Sequence, residues 1–405
     1  MAGPPAAQHQ AEPSGAARRR ARVRSFLALA AVVAGTVGFL VWGAHILPGQ
    51  FRTPKAGPQK ESATPTEAAE TIREAAPRFA AEADTRELCL GTLRAMEPAA
   101  QAEALTLALT DDDPAVKRAA AYCATALAPA GETLAAALIA ASRAPEAAQA
   151  AVYALGRYPG PATTERLVQV LDGGGDDMLR VYAAWSLETA AQPEAVDVLL
   201  QCLSLDEGLT GMAAAKVLGR RKDPTARHAC IELLEHLQPL PEPSGPGERA
   251  ALCLAYMGDT SAIGPLRNAA HRLGDWRTGE RLAVAFALCR LRPPDEYNFW
   301  LLRYAARRFL PPAPYRPKQT EAWANALVYL VQVEDERVLS TLVGATAGAR
   351  GQYAEALTGA FNVLGYQPTP NPGGGGYILQ ELPPGQRPPG WLYSDEPPEA
   401  PLGGA

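Results

Sequence analysis

Residues 162–188 read ATTERLVQVLDGGGDDMLRVYAAWSLE, and they contain the unit from which most of the chain is built. The opening ten residues, 162–171, form a Leu-rich helical pattern. An acidic, glycine-rich break follows from Asp172 to Asp176, where an Asp suits the N-cap of a second helix because its carboxylate accepts a free backbone N–H. In LRVYAAWSLE, small residues then recur at steps of four and three, with Leu179, Arg180, Ala183, Ser186 and Leu187 as its markers. Alanine on that narrow face lets neighbouring helix axes approach closely. The stretch predicts a helix, a capped turn and a second, tightly packed helix.

The same pattern recurs in both directions. Residues 147–159 (AAQAAVYALGRYP) repeat it with Ala147, Ala151, Ala154, Leu155 and Gly156. Aligned on the last apolar position, the copies end at Leu93, Leu127, Leu155, Leu187, Leu218, Met257, Leu288, Leu330 and Leu364. The spacings are 34, 28, 32, 31, 39, 31, 42 and 34 residues, a near-constant period with loop insertions, as stacked helical units produce. Other breaks have the same chemistry: Asp111-Asp112-Asp113-Pro114 and Asp206-Glu207-Gly208. Gly156, Gly219, Gly258 and Gly365 stand where a left-handed C′ residue would close a helix. Composition agrees, with 47% hydrophobic residues but only 7% aromatic, the apolar share being mostly Ala and Leu.

These units resemble HEAT repeats. The Asp-Pro-x-Val-x-Arg run at 113–118 with its following alanines is similar to the HEAT-like variant named after phycobilisome lyases. The resemblance covers residues 66–366 and weakens after about 239, where PLPEPSGPG is inserted. It implies an all-α, right-handed solenoid of about nine helical hairpins, whose second helices line a concave surface that binds a protein partner. It also leaves an alternative, an enzyme or enzyme accessory of the lyase-like, ligand-handling class. Deoxyhypusine hydroxylase builds a di-iron site on HEAT repeats from His-Glu dipeptides, and this chain has none.

Ahead of the repeats, Phe26–Leu47 is 22 residues without Asp, Glu, Lys or Arg. At about 1.5 Å per residue it covers roughly the 30 Å of a bilayer core, so it is expected to be one transmembrane helix. A cleaved signal peptide is the competing reading, but such peptides have a shorter apolar region and a small-x-small cleavage site. Residues 1–24 carry five arginines against Glu12, a charge of +4, which leaves −9 for the rest of a chain whose total is −5. Positive flanks stay cytoplasmic. The expected organisation is therefore a basic cytoplasmic tail at 1–25, the membrane helix at 26–47, a linker at 48–65, the repeats at 66–366 and a Pro/Gly-rich disordered tail at 367–405. The repeat domain would be extracytoplasmic, facing the periplasm from a bacterial inner membrane. A body that acidic argues against nucleic acid as a partner.

The chemistry-bearing motifs of common enzyme classes are missing from the sequence. It has no GxSxG elbow, no GxxxxGK phosphate loop and no GxGxxG. The six cysteines form no CxxC pair and read as small buried hydrophobes. His228 and His236 are eight residues apart on one helix, too far along the axis to share an ion. No cofactor, metal or catalytic residue is expected. One segment stands apart from the Ala–Leu background: Tyr297–Trp323 holds seven aromatics with Arg303, Arg307, Arg308, Arg316 and Lys318 interleaved. Aromatics and Arg are the residue types enriched at interface hot spots. Trp300, Arg303, Tyr304, Arg307, Arg308, Tyr315 and Arg316 are the candidate protein-binding residues, with core packing of the rings as the alternative.

Overall fold

Ala–Leu runs separated by Pro, Gly and Asp fold into eighteen α-helices among the described residues. The computed structural model describes residues 63–382 and 401. Residues 129–130, 175, 206–207, 238–244, 274–278, 294, 309–316, 334, 347–351 and 372–376 are outside that description, as are the side chains of 307–308, 317–324 and 352–353. The helices pair in chain order: α1 (Pro65–Phe79) with α2 (Ala83–Arg94), α3 (Pro98–Leu109) with α4 (Pro114–Leu127), and α5 (Glu132–Ala141) with α6 (Ala148–Leu155). Next come α7 (Pro161–Asp172) with α8 (Asp177–Ser186), α9 (Pro193–Leu205) with α10 (Leu209–Arg221), and α11 (Pro224–Glu235) with α12 (Pro246–Met257). The last three pairs are α13 (Ile263–Leu273) with α14 (Gly279–Leu291), α15 (Glu296–Arg308) with α16 (Pro317–Gln332), and α17 (Arg337–Ala345) with α18 (Gln352–Val363).

Local chemistry fixes the helix ends. Several helices open on Pro at the first helical position, where its missing N–H costs nothing. Asp113, Asp176 and Asp223 cap α4, α8 and α11, each carboxylate accepting a backbone N–H at 2.8–3.0 Å. At α10 the capping residue is Gly208, without a side-chain bond. Gly258 and Gly365 do take positive φ, but Gly156 and Gly219 do not. At Gly219 the glycine serves close approach instead, because a Cβ there would lie 2.6 Å from the Cys253 carbonyl oxygen in α12. Arginines close other carboxyl ends. Arg180 in α8 donates to the Leu171 carbonyl of α7, Arg249 in α12 to Leu203 of α9, and Arg272 in α13 to Leu234 of α11.

Packing builds two rows. The second helices, α2 through α18, stack one on the next, and the first helices form an adjoining row. The nine positions aligned in the sequence fall within the last turn of those second helices or just beyond it. Seven of them are buried, and Leu127 and Leu364 pack against the core from its edge. Ala183 and Ala214 are fully buried where the second helices meet. Ion pairs bridge successive units: Arg73 to Asp111, Arg220 to Glu188, and Arg227 to Asp259. All six cysteines are buried free thiols, and burial pushes Cys89 up to about 11 and Cys289 to about 12.

One correction concerns the carboxyl end. The expected disordered tail from 367 begins instead with an antiparallel hairpin, β1 (Tyr366–Pro370) with β2 (Tyr377–Glu381), in the register Tyr366↔Glu381 and Pro370↔Tyr377. The fold is thus helical with one appended hairpin rather than wholly α. Tyr366 and Leu379 settle against the helical core, and the Leu382 N–H donates to the Gly365 carbonyl at 2.8 Å. Pro368 and Pro370 are tolerated because both strands of a two-stranded sheet are edges. Among the described residues no helix is long and apolar enough to cross a membrane. The expected span Phe26–Leu47 lies outside them.

Candidate functional site

Helix α15 divides the aromatic–basic segment into two faces. Its N-cap is Asp295, whose Oδ1 accepts the Asn298 N–H at 3.2 Å and whose carbonyl accepts the Phe299 N–H at 2.9 Å. Phe299, Leu301, Leu302, Ala305 and Ala306 point into the core. On the opposite face Tyr297 is 64% exposed and Trp300 53% exposed. Trp300 stacks on Tyr297 with ring centroids 6.5 Å apart and on Tyr304 at 5.0 Å, the planes within 27° and 19°. These three rings form a continuous ladder along the helix. Large exposed apolar groups lose free energy to water unless something covers them.

The remaining expected site residues divide. Arg303 is half-buried: its Nε donates to Thr341 Oγ1 at 2.8 Å and its guanidinium lies 5.7 Å from the Phe299 ring centroid. It ties α15 to α17. The side chains of Arg307, Arg308, Tyr315 and Arg316 lie outside the described residues. Trp300 and Tyr304 are brought together; the other five are not shown to join them.

Beside the ladder the row of first helices opens. Consecutive first helices touch from α1 to α13 and again from α15 to α17, only lightly at α5–α7 and α9–α11, whereas α13 and α15 barely touch. A cavity of about 590 Å³ occupies the gap, lined by Arg267 and His271 of α13, Arg281 of α14, Arg292 just beyond it, and Asp295–Asn298 at the start of α15. The acids there are already committed. Asp295 caps α15, and Glu296 Oε2 accepts from Arg337 Nη1 at 2.8 Å. Arg281 is buried, donates to Asn298 Oδ1 at 3.2 Å and lies 6.0 Å from the Tyr297 ring centroid. Burial lowers its pKa, opposed by Tyr297 and Asp295. Arg267 and Arg292 are exposed, and neither forms an ion pair among the described residues. Among the described residues the mouth is therefore positive within an acidic body.

The second helices, expected to line an open concave surface, are closed off in this part of the array. Helix α12 is buried from Gly247 to Met257, and α14 from Gly279 to Leu291 except Arg290. The reason is that α16 lies against α14 and reaches past it to α12. Tyr329 stacks on Phe286 at 5.2 Å and donates to Glu248 Oε1, Asn325 donates to the same oxygen at 2.9 Å, and Tyr256 donates to Gln332. Glu280 is buried with them, and its Oε2 has no hydrogen-bond partner among the described residues. Burial pushes its carboxyl up to about 7, against the pull of the Arg249 charge.

Sequence reasoning singled out Trp300 and Tyr304, left Tyr297 out of the candidate set and missed the pocket. Arg267, His271, Arg281 and Arg292 are scattered over two helices and a turn, and no spacing relates them to Tyr297. Only the packing gap brings them together.

The fold is that of an α-solenoid. Residues 164–240, spanning α7 to α11, match HEAT repeats. No curated protein matches the chain. A solved structure of an engineered protein from a structural-genomics consortium is similar at 16% identity, covering 76% of this chain and 87% of that one, with a TM-score of 0.33.

Proposed function

We propose that this protein is a scaffold or adaptor that binds another protein through its helical solenoid, and that the exposed face of α15 is where it does so. The HEAT repeats at 164–240 support an interaction role. One observation carries the location: exposed Tyr297 and Trp300 form a stacked ladder with half-buried Tyr304, beside a positive opening in the helix rows. Aromatic rings of this kind supply most of the energy at interface centres. The reading includes a membrane tether through Phe26–Leu47, with the repeats on the extracytoplasmic side of a bacterial inner membrane, supported by the arginine excess before that segment. It also keeps Arg303, Arg307, Arg308, Tyr315 and Arg316 as flanking contributors.

Replacement of Trp300 by a photo-crosslinking benzoylphenylalanine in the intact membrane protein is expected to give a discrete protein adduct. The same group at Leu107, exposed on α3, is expected to give none. Identical patterns at both positions would remove α15 as the binding face. A reporter fused after Ala405 is expected to be active only in its extracytoplasmic form; cytoplasmic activity would overturn the orientation.

A further inference from the structure

We infer that the opening between α13 and α15 is a carboxylate-binding pocket, and that its occupant is an extended acidic segment of the partner protein. An aromatic or proline residue of that segment lies on the Tyr297–Trp300–Tyr304 ladder. This deepens the assignment of α15 as the binding face and rests on it.

Three features select this chemistry. The first is charge. Arg267 and Arg292 stand exposed at the mouth and His271 beside them, while Asp295 and Glu296 are held by the α15 cap and by Arg337. Buried Arg281 adds a fixed positive charge at the floor. Arg offers a planar fork of donors suited to a carboxylate. The body around it is acidic, but charges beyond about 8–10 Å are screened at physiological salt, so the local sign governs docking.

The second is size. A cavity of about 590 Å³ falls in the range of sites that take a sizeable organic group. A lone inorganic anion would leave most of it to water.

The third is the ladder. Tyr297 to Tyr304 spans seven residues of helix, about 10 Å at 1.5 Å per residue. Roughly three residues of extended chain cover that length. Tyr297 itself lines the pocket, so an occupant holding a carboxylate there covers the rings with the residues that follow, out to about three positions away. A free anion leaves the rings bare, and an apolar peptide leaves the arginines unmatched. An extended peptide bearing both groups satisfies the two halves together.

The test uses the full-length chain in detergent and a fluorescein-labelled peptide, GEEPGWPG, with its reversed sequence to allow either chain direction. Fluorescence polarisation is expected to show binding of at least one of the two, and at least tenfold weaker binding when both acids are replaced by Gln. The double variant Arg267→Glu/Arg292→Glu is expected to lose at least tenfold in affinity with an unchanged thermal melt, since both side chains are exposed. Trp300→Ala is expected to weaken binding independently. Equal binding of the acidic and Gln peptides, or no binding of either direction, overturns the pocket chemistry. It does so without touching the α15 assignment, which the crosslinking at position 300 judges separately. Displacement by millimolar inorganic phosphate together with no effect of Trp300→Ala would make this a small-anion site and overturn the inference as well.

Discussion

Gly219→Ala separates two effects of opposite sign at one position. Inside a helix, glycine is less favourable than alanine by about 0.8–1.0 kcal/mol. Propensity alone therefore makes the substitution stabilising. Packing reverses it, because the added Cβ would sit 2.5 Å from the Tyr256 Cβ and 2.6 Å from the Cys253 carbonyl oxygen. Comfortable carbon contacts lie at about 3.5–4.0 Å, so α10 and α12 must separate by about 1 Å. Neither obstructing atom can swing away, since one is a Cβ and the other backbone. That places the cost near the upper end of the 1–3 kcal/mol typical of overpacking. The net expectation is a loss of about 2 kcal/mol. The matched control is Gly91→Ala in α2, where an added Cβ meets nothing within 4 Å. It should gain about 0.5–1 kcal/mol. Urea denaturation followed by circular dichroism on the full chain in detergent measures both, and hydrogen exchange in α10 and α12 locates the loss. If Gly219→Ala matched or exceeded the parent, the close approach of these second helices would be wrong.

Ala183→Glu or Ala214→Glu should cost on the order of 3 kcal/mol or more, because each inserts bulk and an unpaired charge at a fully buried helix contact. A parental melting curve for either would refute those faces. Glu280 gives a pH signature. Its folded carboxyl keeps the proton up to about pH 7, whereas an ordinary one releases it near 4.5. The native state therefore binds more protons across that window, and stability from this group is full below 4.5 and lost as pH rises to 7. Glu280→Gln should flatten that part of the stability–pH curve, and an unchanged slope would show the carboxyl to be solvated. Ser186→Ala removes the hydrogen bond from its Oγ to the Val152 carbonyl at 2.9 Å, one unit back. It should cost about 1 kcal/mol in the same denaturation assay, and no loss would show that water replaces the bond.

Much of this architecture is local and so was legible from residues alone. The helix pairs follow from Ala–Leu periodicity, the turns from Asp and Pro, and the register of the array from nine apolar positions at or near the ends of the second helices. Each is decided within a few residues, which is why Asp113 and Asp176 cap where the spacing placed them. The hairpin at 366–381 escaped notice because the Pro and Gly content of the tail masked it, while its stability comes from α18 and the core beneath. The role of Gly219 escaped for a related reason: a glycine at a helix end and one at a helix crossing look alike until the neighbouring helix is in place.

Residue periodicity alone shows that this chain stacks helical hairpins and locates the aromatic-rich segment. Which of those rings are core and which are surface depends on how the helices pack. Phe299 and Trp300 are adjacent in sequence, yet a 100° turn of helix sends one into the core beneath Arg337 and the other into solvent. Tertiary packing also closed the second helices beneath α16 and left α13 apart from α15. The positive pocket exists because that gap gathers arginines from separate segments, a coincidence of packing that no periodicity along the chain records.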